Sequence, residues 1–134
     1  MLKIYIDAAT KGNPGPSGCG VLITGDGLYQ QLSFPLSILT NHQAEFAALE
    51  CALTEALAQN LQNQSIFLYT DSQVVAQVID QNTTSNLAFH PYLLRIQDLL
   101  KHFQLVIIQW IPEKDNRGAD NLARQGLQKA LKNA

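Results

Sequence analysis

The hydrophobic period of this chain first changes near residue 40, and that change limits the folds open to it. Leu2, Ile4 and Ile6 alternate with Lys3, Tyr5 and Asp7, the period of two of a half-buried strand that ends on an acid. The Gly/Pro-rich stretch from Lys11 to Gly18 predicts an irregular turn. Cys19 to Thr24 and Gly27 to Phe34 then read as two strands joined at Gly25-Asp26-Gly27, so the first third is a β-meander. Beyond Thr40 the spacing turns helical. Ala44, Ala47, Ala48, Cys51, Ala52 and Ala56 recur among strong helix formers, with Thr40 or Asn41 as N-cap and an end near Ala58.

Ile66-Phe67-Leu68-Tyr69 and Leu105-Val106-Ile107-Ile108 are short apolar runs of the kind found in strands covered on both faces, and helical stretches follow each. A final helix runs from about Asn116 to Leu131. A meander followed by strand–helix units predicts an α/β chain, a five-stranded mixed sheet with helices on both faces. Trp110 reads as core. No repeat, linker or low-complexity tract interrupts the chain, so residues 1–134 read as one domain and a monomer. No apolar run reaches the ~20 residues that cross a bilayer, and Met1 leads straight into a strand pattern, which predicts a cytoplasmic protein without membrane contact. Cys19 and Cys51 lack C-x-x-C spacing and read as small buried hydrophobes without a disulfide.

Four acids sit where chemistry can use them. Asp7 closes the first strand, Asp71 follows Tyr69-Thr70 at the end of another, Glu45 lies one turn into the first long helix, and Asp120 lies early in the last. In open α/β sheets the functional crevice lies at the carboxyl ends of strands, where Asp7 and Asp71 meet if their strands are parallel neighbours. Converging carboxylates repel one another unless a cation joins them, and hard divalent ions favour oxygen ligands. On spacing alone, four solvated surface acids are the better account, since some of eleven acids fall near strand ends by chance.

Local sequence separates the two. Tyr5-Ile6-Asp7-Ala8-Ala9 with Gly12-Asn13-Pro14-Gly15-Pro16, then Thr40-Asn41-His42-Gln43-Ala44-Glu45, then Tyr69-Thr70-Asp71-Ser72-Gln73, then Asn116-Arg117-Gly118-Ala119-Asp120-Asn121-Leu122-Ala123 occur in that order along essentially the whole chain. Together they resemble the four signature blocks of type 1 ribonucleases H. The resemblance implies a ribonuclease H-like fold and an endonuclease that hydrolyses the RNA strand of an RNA–DNA hybrid, leaving 5′-phosphate and 3′-hydroxyl ends. It also implies two Mg²⁺ ions, or Mn²⁺, held by Asp7, Glu45, Asp71 and Asp120, one ion activating water and the other stabilising the departing 3′-oxygen. Substrate contacts would come from Asn13, Thr40, Asn41, His42 and Gln73, whose polar side chains suit a ribose 2′-hydroxyl or the DNA strand. Asn41 equally suits helix capping, and Asn13 a plain turn.

The chain departs from the larger members of that family. Between Trp110 and Asp120 there is no histidine of the kind many members place there, and Glu113 is the candidate substitute. Arg95 and Lys101 are the only cations from Asp71 to Trp110, so the basic handle that grips the hybrid is missing and this is a compact form. A formal net charge of −2 points the same way, toward local contacts rather than long-range attraction. Lys11, Lys114, Arg117 and Arg124 flank the acidic blocks and serve either the substrate or nearby acids. A weakly active or inactive hybrid-binding module of the same fold, or a related nuclease acting on other nucleic acids, is the competing reading.

Overall fold

In the computed structural model, which describes residues 1–133, β1 (Leu2–Thr10), β2 (Gly15–Gly25) and β3 (Leu28–Leu39) form the meander, each pairing antiparallel with the next. Asp26 and Gly27 make its tight turn with φ of 51° and 81°, the left-handed pair that matches the twist of a two-residue hairpin. Helix α1 (Asn41–Ala58) leads to β4 (Ser65–Thr70), which lies parallel to β1. Helices α2 (Gln73–Gln81) and α3 (His90–Leu100) lead to β5 (Leu105–Trp110), parallel to β4. A 3₁₀ turn, Glu113–Asp115, and α4 (Arg117–Lys132) follow. The sheet order β3-β2-β1-β4-β5 is the expected mixed five-stranded arrangement.

The two faces of the sheet are covered differently. Cβ atoms added at Gly18 and Gly20 would meet α4, Gly20 at 2.5 Å from the Ala119 carbonyl, so the helix backbone rests directly on β2. Cys19, Val21 and Ile23, between and beyond these glycines, point the other way into the core shared with Phe46, Leu49 and Leu53 of α1. Each such side chain stabilises by roughly 1.5–3 kcal/mol when fully buried, and this packing fixes α1 against the strands. No helix among the described residues is long and apolar enough to cross a membrane.

Three local expectations need correction. Gly15 to Gly18 belong to β2, with a register shift at Pro16/Ser17, and β1 continues past Asp7 to Thr10. Gly18 is there for close approach to α4, whereas Gly15 lies against the backbone of Lys11 in the irregular loop that precedes it. β5 is an edge strand, with Leu105 46% and Ile107 40% exposed, because an apolar run records burial on average and not the number of neighbours. Trp110 is 41% exposed, and its indole N–H donates to the Asp71 carbonyl at 3.1 Å.

Candidate active site

Parallel register brings the first two acids together. Ile6 of β1 pairs with Thr70 of β4, so Asp7 and Asp71 follow side by side. Asp71 leaves the strand at a defined angle because Thr70 Oγ1 accepts the Ser72 N–H, and Ser72 in turn caps α2 by accepting the Val75 N–H. Glu45 comes from α1, whose start is fixed by a capping box between Thr40 and Gln43. Asp7, Glu45 and Asp71 each place a carboxylate oxygen within 4.8 Å of the others.

Asp120 arrives from the opposite face. Because α4 lies on Gly20, which pairs with Asp7, its first turn sits over that residue. Asp7, Asp71, Glu113, Asp120 and Arg124 line one cleft of about 190 Å³. The Asp120 carboxylate stands apart from the close trio and pairs with Arg124 Nη2 at 3.0 Å, one turn along α4. Of the two roles open to Arg124 in the sequence, this is the intrahelical one. Both groups are well exposed, and such a pair is worth only ~0.3–0.5 kcal/mol, so Asp120 is readily released to another cation.

The electrostatics report crowding. Burial, reinforced by the Asp71 charge, raises the Asp7 carboxyl to about 7. Glu45 is held well above its ordinary value by burial and then by the charges of Asp7 and Asp71. Asp71 is raised by burial, with Glu113 and Asp120 adding to it and the Asn116 hydrogen bond opposing. Glu45 Oε2 is buried with no hydrogen-bond partner. An orphaned buried oxygen among mutually repelling carboxylates fits a divalent cation, which satisfies hard oxygen donors and reverses the repulsion.

Comparison with known proteins agrees with this geometry. The family model for reverse transcriptase-like proteins matches residues 5–132. The protein EbsB of Enterococcus faecalis is 49% identical over 133 residues, 99% of this chain and 98% of its own. Ribonuclease HI of Halobacterium salinarum is 35% identical over 129 residues, 94% of this chain but 64% of its own length. The crystal structure of RNase H1 from the halophilic archaeon Halobacterium salinarum superposes with a TM-score of 0.86 at 32% identity, covering 96% of this chain and 98% of that one. This chain belongs to the type 1 ribonuclease H family. Another ribonuclease H1, LC11, in complex with an RNA/DNA hybrid, gives a TM-score of 0.88 at 26% identity over 98% of this chain and 99% of that one.

Within this ribonuclease H three of the five expected substrate residues lie in one groove beside the acids, and Asn13 and Thr40 lie outside it. Asn41, His42 and Gln73, with Glu45, Asp71 and Glu113, line a groove of about 400 Å³. Thr40 is the helix cap, so Asn41 is free of that duty. Its backbone N–H donates to Asn13 Oδ1 at 2.9 Å, which ties the β1–β2 loop to the start of α1. His42 is exposed with its ring against the edge of Phe89. Arg95, one of the two cations where a handle would stand, is paired with Glu50 at 3.0 Å and lies over the Tyr92 ring.

One residue of the site was not recognised from sequence. Asn116 is 1% exposed, and its Nδ2 donates to the Ile6 carbonyl at 2.8 Å and to Asp71 Oδ2 at 3.1 Å. The available signal was an asparagine at a helix N-cap within the last motif block. Here the side chain makes no capping bond and bridges α4 to β1 and to the Asp71 carboxylate. Asn116→Ala is expected to cost about 1–3 kcal/mol by leaving the Ile6 carbonyl unpaired, and to raise the metal concentration needed for half-maximal activity about 10–100-fold, as loss of an outer partner of a ligand does. Denaturant melts and metal titrations check the two effects separately.

Proposed function

We propose that this ribonuclease H hydrolyses the RNA strand of RNA–DNA hybrids using Asp7, Glu45, Asp71 and Asp120 as its metal-holding carboxylates, with Mg²⁺ as the resident ion. The observation that carries the assignment is the trio of carboxylates from β1, α1 and the end of β4, one buried and two half-buried, with Asp120 in the same cleft. Divalent ions bound there supply activation of the attacking water and stabilisation of the departing 3′-oxygen, leaving 5′-phosphate and 3′-hydroxyl ends. Asp7, Glu45, Asp71 and Asp120 would hold these ions between them, Asp7 from the centre of the cluster, Glu45 and Asp71 beside it and Asp120 from α4.

Substrate selection falls to the adjoining groove. Gln73 is exposed at the first position of α2 and Asn41 at the first position of α1, each offering a donor and an acceptor to minor-groove edges and 2′-hydroxyls. Asn13 keeps its amide N–H₂ available while its oxygen holds Asn41. Gln73→Ala is expected to raise KM about 3–10-fold with kcat nearly unchanged, the loss of one hydrogen bond in uniform binding. Steady-state kinetics on a defined hybrid check it.

The test of the function is cleavage of three end-labelled substrates at low salt: the hybrid, an RNA duplex and a DNA duplex, each with Mg²⁺ and with Mn²⁺. RNA-strand cleavage confined to the hybrid is the expected result. Cleavage of the RNA duplex at a comparable rate would assign a different substrate, and binding of the hybrid without cleavage under either metal would leave a binding module.

A further inference from the structure

Of the four carboxylates, Asp71 alone stands on backbone that belongs to neither strand nor helix. Asp7 lies within β1, Glu45 within α1 and Asp120 within α4, whereas β4 ends at Thr70 and α2 begins at Gln73. The carbonyls of this junction are each met by a different donor. Ser72 O accepts the Ala76 N–H at 3.1 Å, and Thr70 O accepts the Ile111 N–H at 2.8 Å, one residue beyond β5. Asp71 O has a single partner among the described residues, the Trp110 indole N–H at 3.1 Å. The peptide unit that joins Asp71 to Ser72 is planar, and it is held at both polar ends, because its N–H, on Ser72, donates to Thr70 Oγ1 at 3.1 Å. Fixing that plane fixes the direction in which the Asp71 side chain leaves the backbone.

Trp110 does not owe its place to burial. It is 41% exposed at the end of edge strand β5, in register with Thr70. What the indole offers there is a donor with no acceptor and no charge. The lack of charge matters beside a cation site. A lysine or arginine reaching the same carbonyl would set a positive charge next to the oxygens that a divalent ion needs. The other donor to the Asp71 side chain, Asn116 Nδ2, is neutral too, and Arg124 is paired with Asp120.

We propose that Trp110 is a positioning residue of the metal site. Through the Asp71–Ser72 peptide it holds the Asp71 carboxylate turned toward Asp7 and Glu45, and it steadies the start of α2, where Gln73 lines the groove. The inference rests on the assignment of Asp71 as a metal-holding carboxylate. Trp110 lines neither the acidic cleft nor the groove, so it acts through Asp71 alone.

Trp110→Phe keeps an aromatic ring on the strand and removes the donor. It is expected to weaken Mg²⁺ binding, read by calorimetry without substrate, about 3–10-fold, the size of one neutral hydrogen bond. In hybrid cleavage the loss should appear as a higher Mg²⁺ requirement that excess ion overcomes. Ile107→Ala, on the same strand and 40% exposed, is the control and should bind Mg²⁺ as the native chain does. Melting curves show that each variant is folded. The chain has one tryptophan, so its native emission gives a reading that needs no variant. It should change as Mg²⁺ binds, with the half-saturation of the calorimetric curve, because the ion draws on the residue whose carbonyl the indole holds. Native-like affinity in Trp110→Phe, an equal loss in Ile107→Ala, or emission that stays flat while calorimetry records binding would overturn the positioning role. A native chain that binds no divalent ion would overturn the metal assignment of Asp71, and this inference with it.

Discussion

Asp71→Asn is expected to abolish cleavage of the RNA strand while making the metal-free protein more stable, a combination that separates a catalytic carboxylate from a structural one. Asparagine keeps the shape of the side chain and retains an oxygen able to accept from Asn116 Nδ2, now 3.1 Å from Asp71 Oδ2. What it removes is a charge beside Asp7 and Glu45, whose carboxyls the Asp71 charge pushes upward. Loss of an outer partner of a metal ligand costs about 10–100-fold, so loss of a ligand should lower kcat/KM by more than ~100-fold. Relief of repulsion worth about 1 kcal/mol should raise the melting temperature by about 3–5 °C in a chain of this size. A variant both inactive and less stable would instead make Asp71 a structural residue, whose partnership with Asn116 holds α4 in place.

Some of this site was legible in the sequence because its signals are local. An acid after an apolar run, or one turn into a capped helix, is read from a few neighbouring residues, and the four motif blocks fixed their order. What escaped depends on distant neighbours. Gly15 to Gly18 look like a turn, yet Gly18 is glycine because the backbone of Leu127 would lie 2.0 Å from its Cβ. Only the fold brings those segments together. Leu105 and Ile107 carry the apolar pattern of a central strand, but strand order makes β5 the edge. Asn116 looked like a helix start and proved to be a bridge between α4, β1 and Asp71. The ion pair of Arg124 with Asp120 was one of two roles open at helical spacing, and side-chain direction decided it.

The same crowding sets the pH dependence of stability in the absence of metal. Asp7 has an ordinary carboxyl value of 3.8 when unfolded and about 7 in the folded chain, so folding favours its protonated form. The stability this contributes is fully present below about pH 4 and is lost as pH rises through about 7; Glu45 and Asp71 are shifted in the same direction. One pKa unit corresponds to about 1.4 kcal/mol, so raising the pH from about 5 to about 8 should cost about 2–3 kcal/mol through Asp7 alone. Magnesium at a hundredfold excess over its dissociation constant returns about 2.7 kcal/mol. It should do so at about pH 8 and far less at about pH 5, where protons already occupy the oxygens it needs. Urea unfolding in chelator and in Mg²⁺ at the two pH values measures all four states. A metal-free stability that holds level or rises over this interval would mean that the three carboxylates ionise independently. It would also remove the physical reason for a cation to join them.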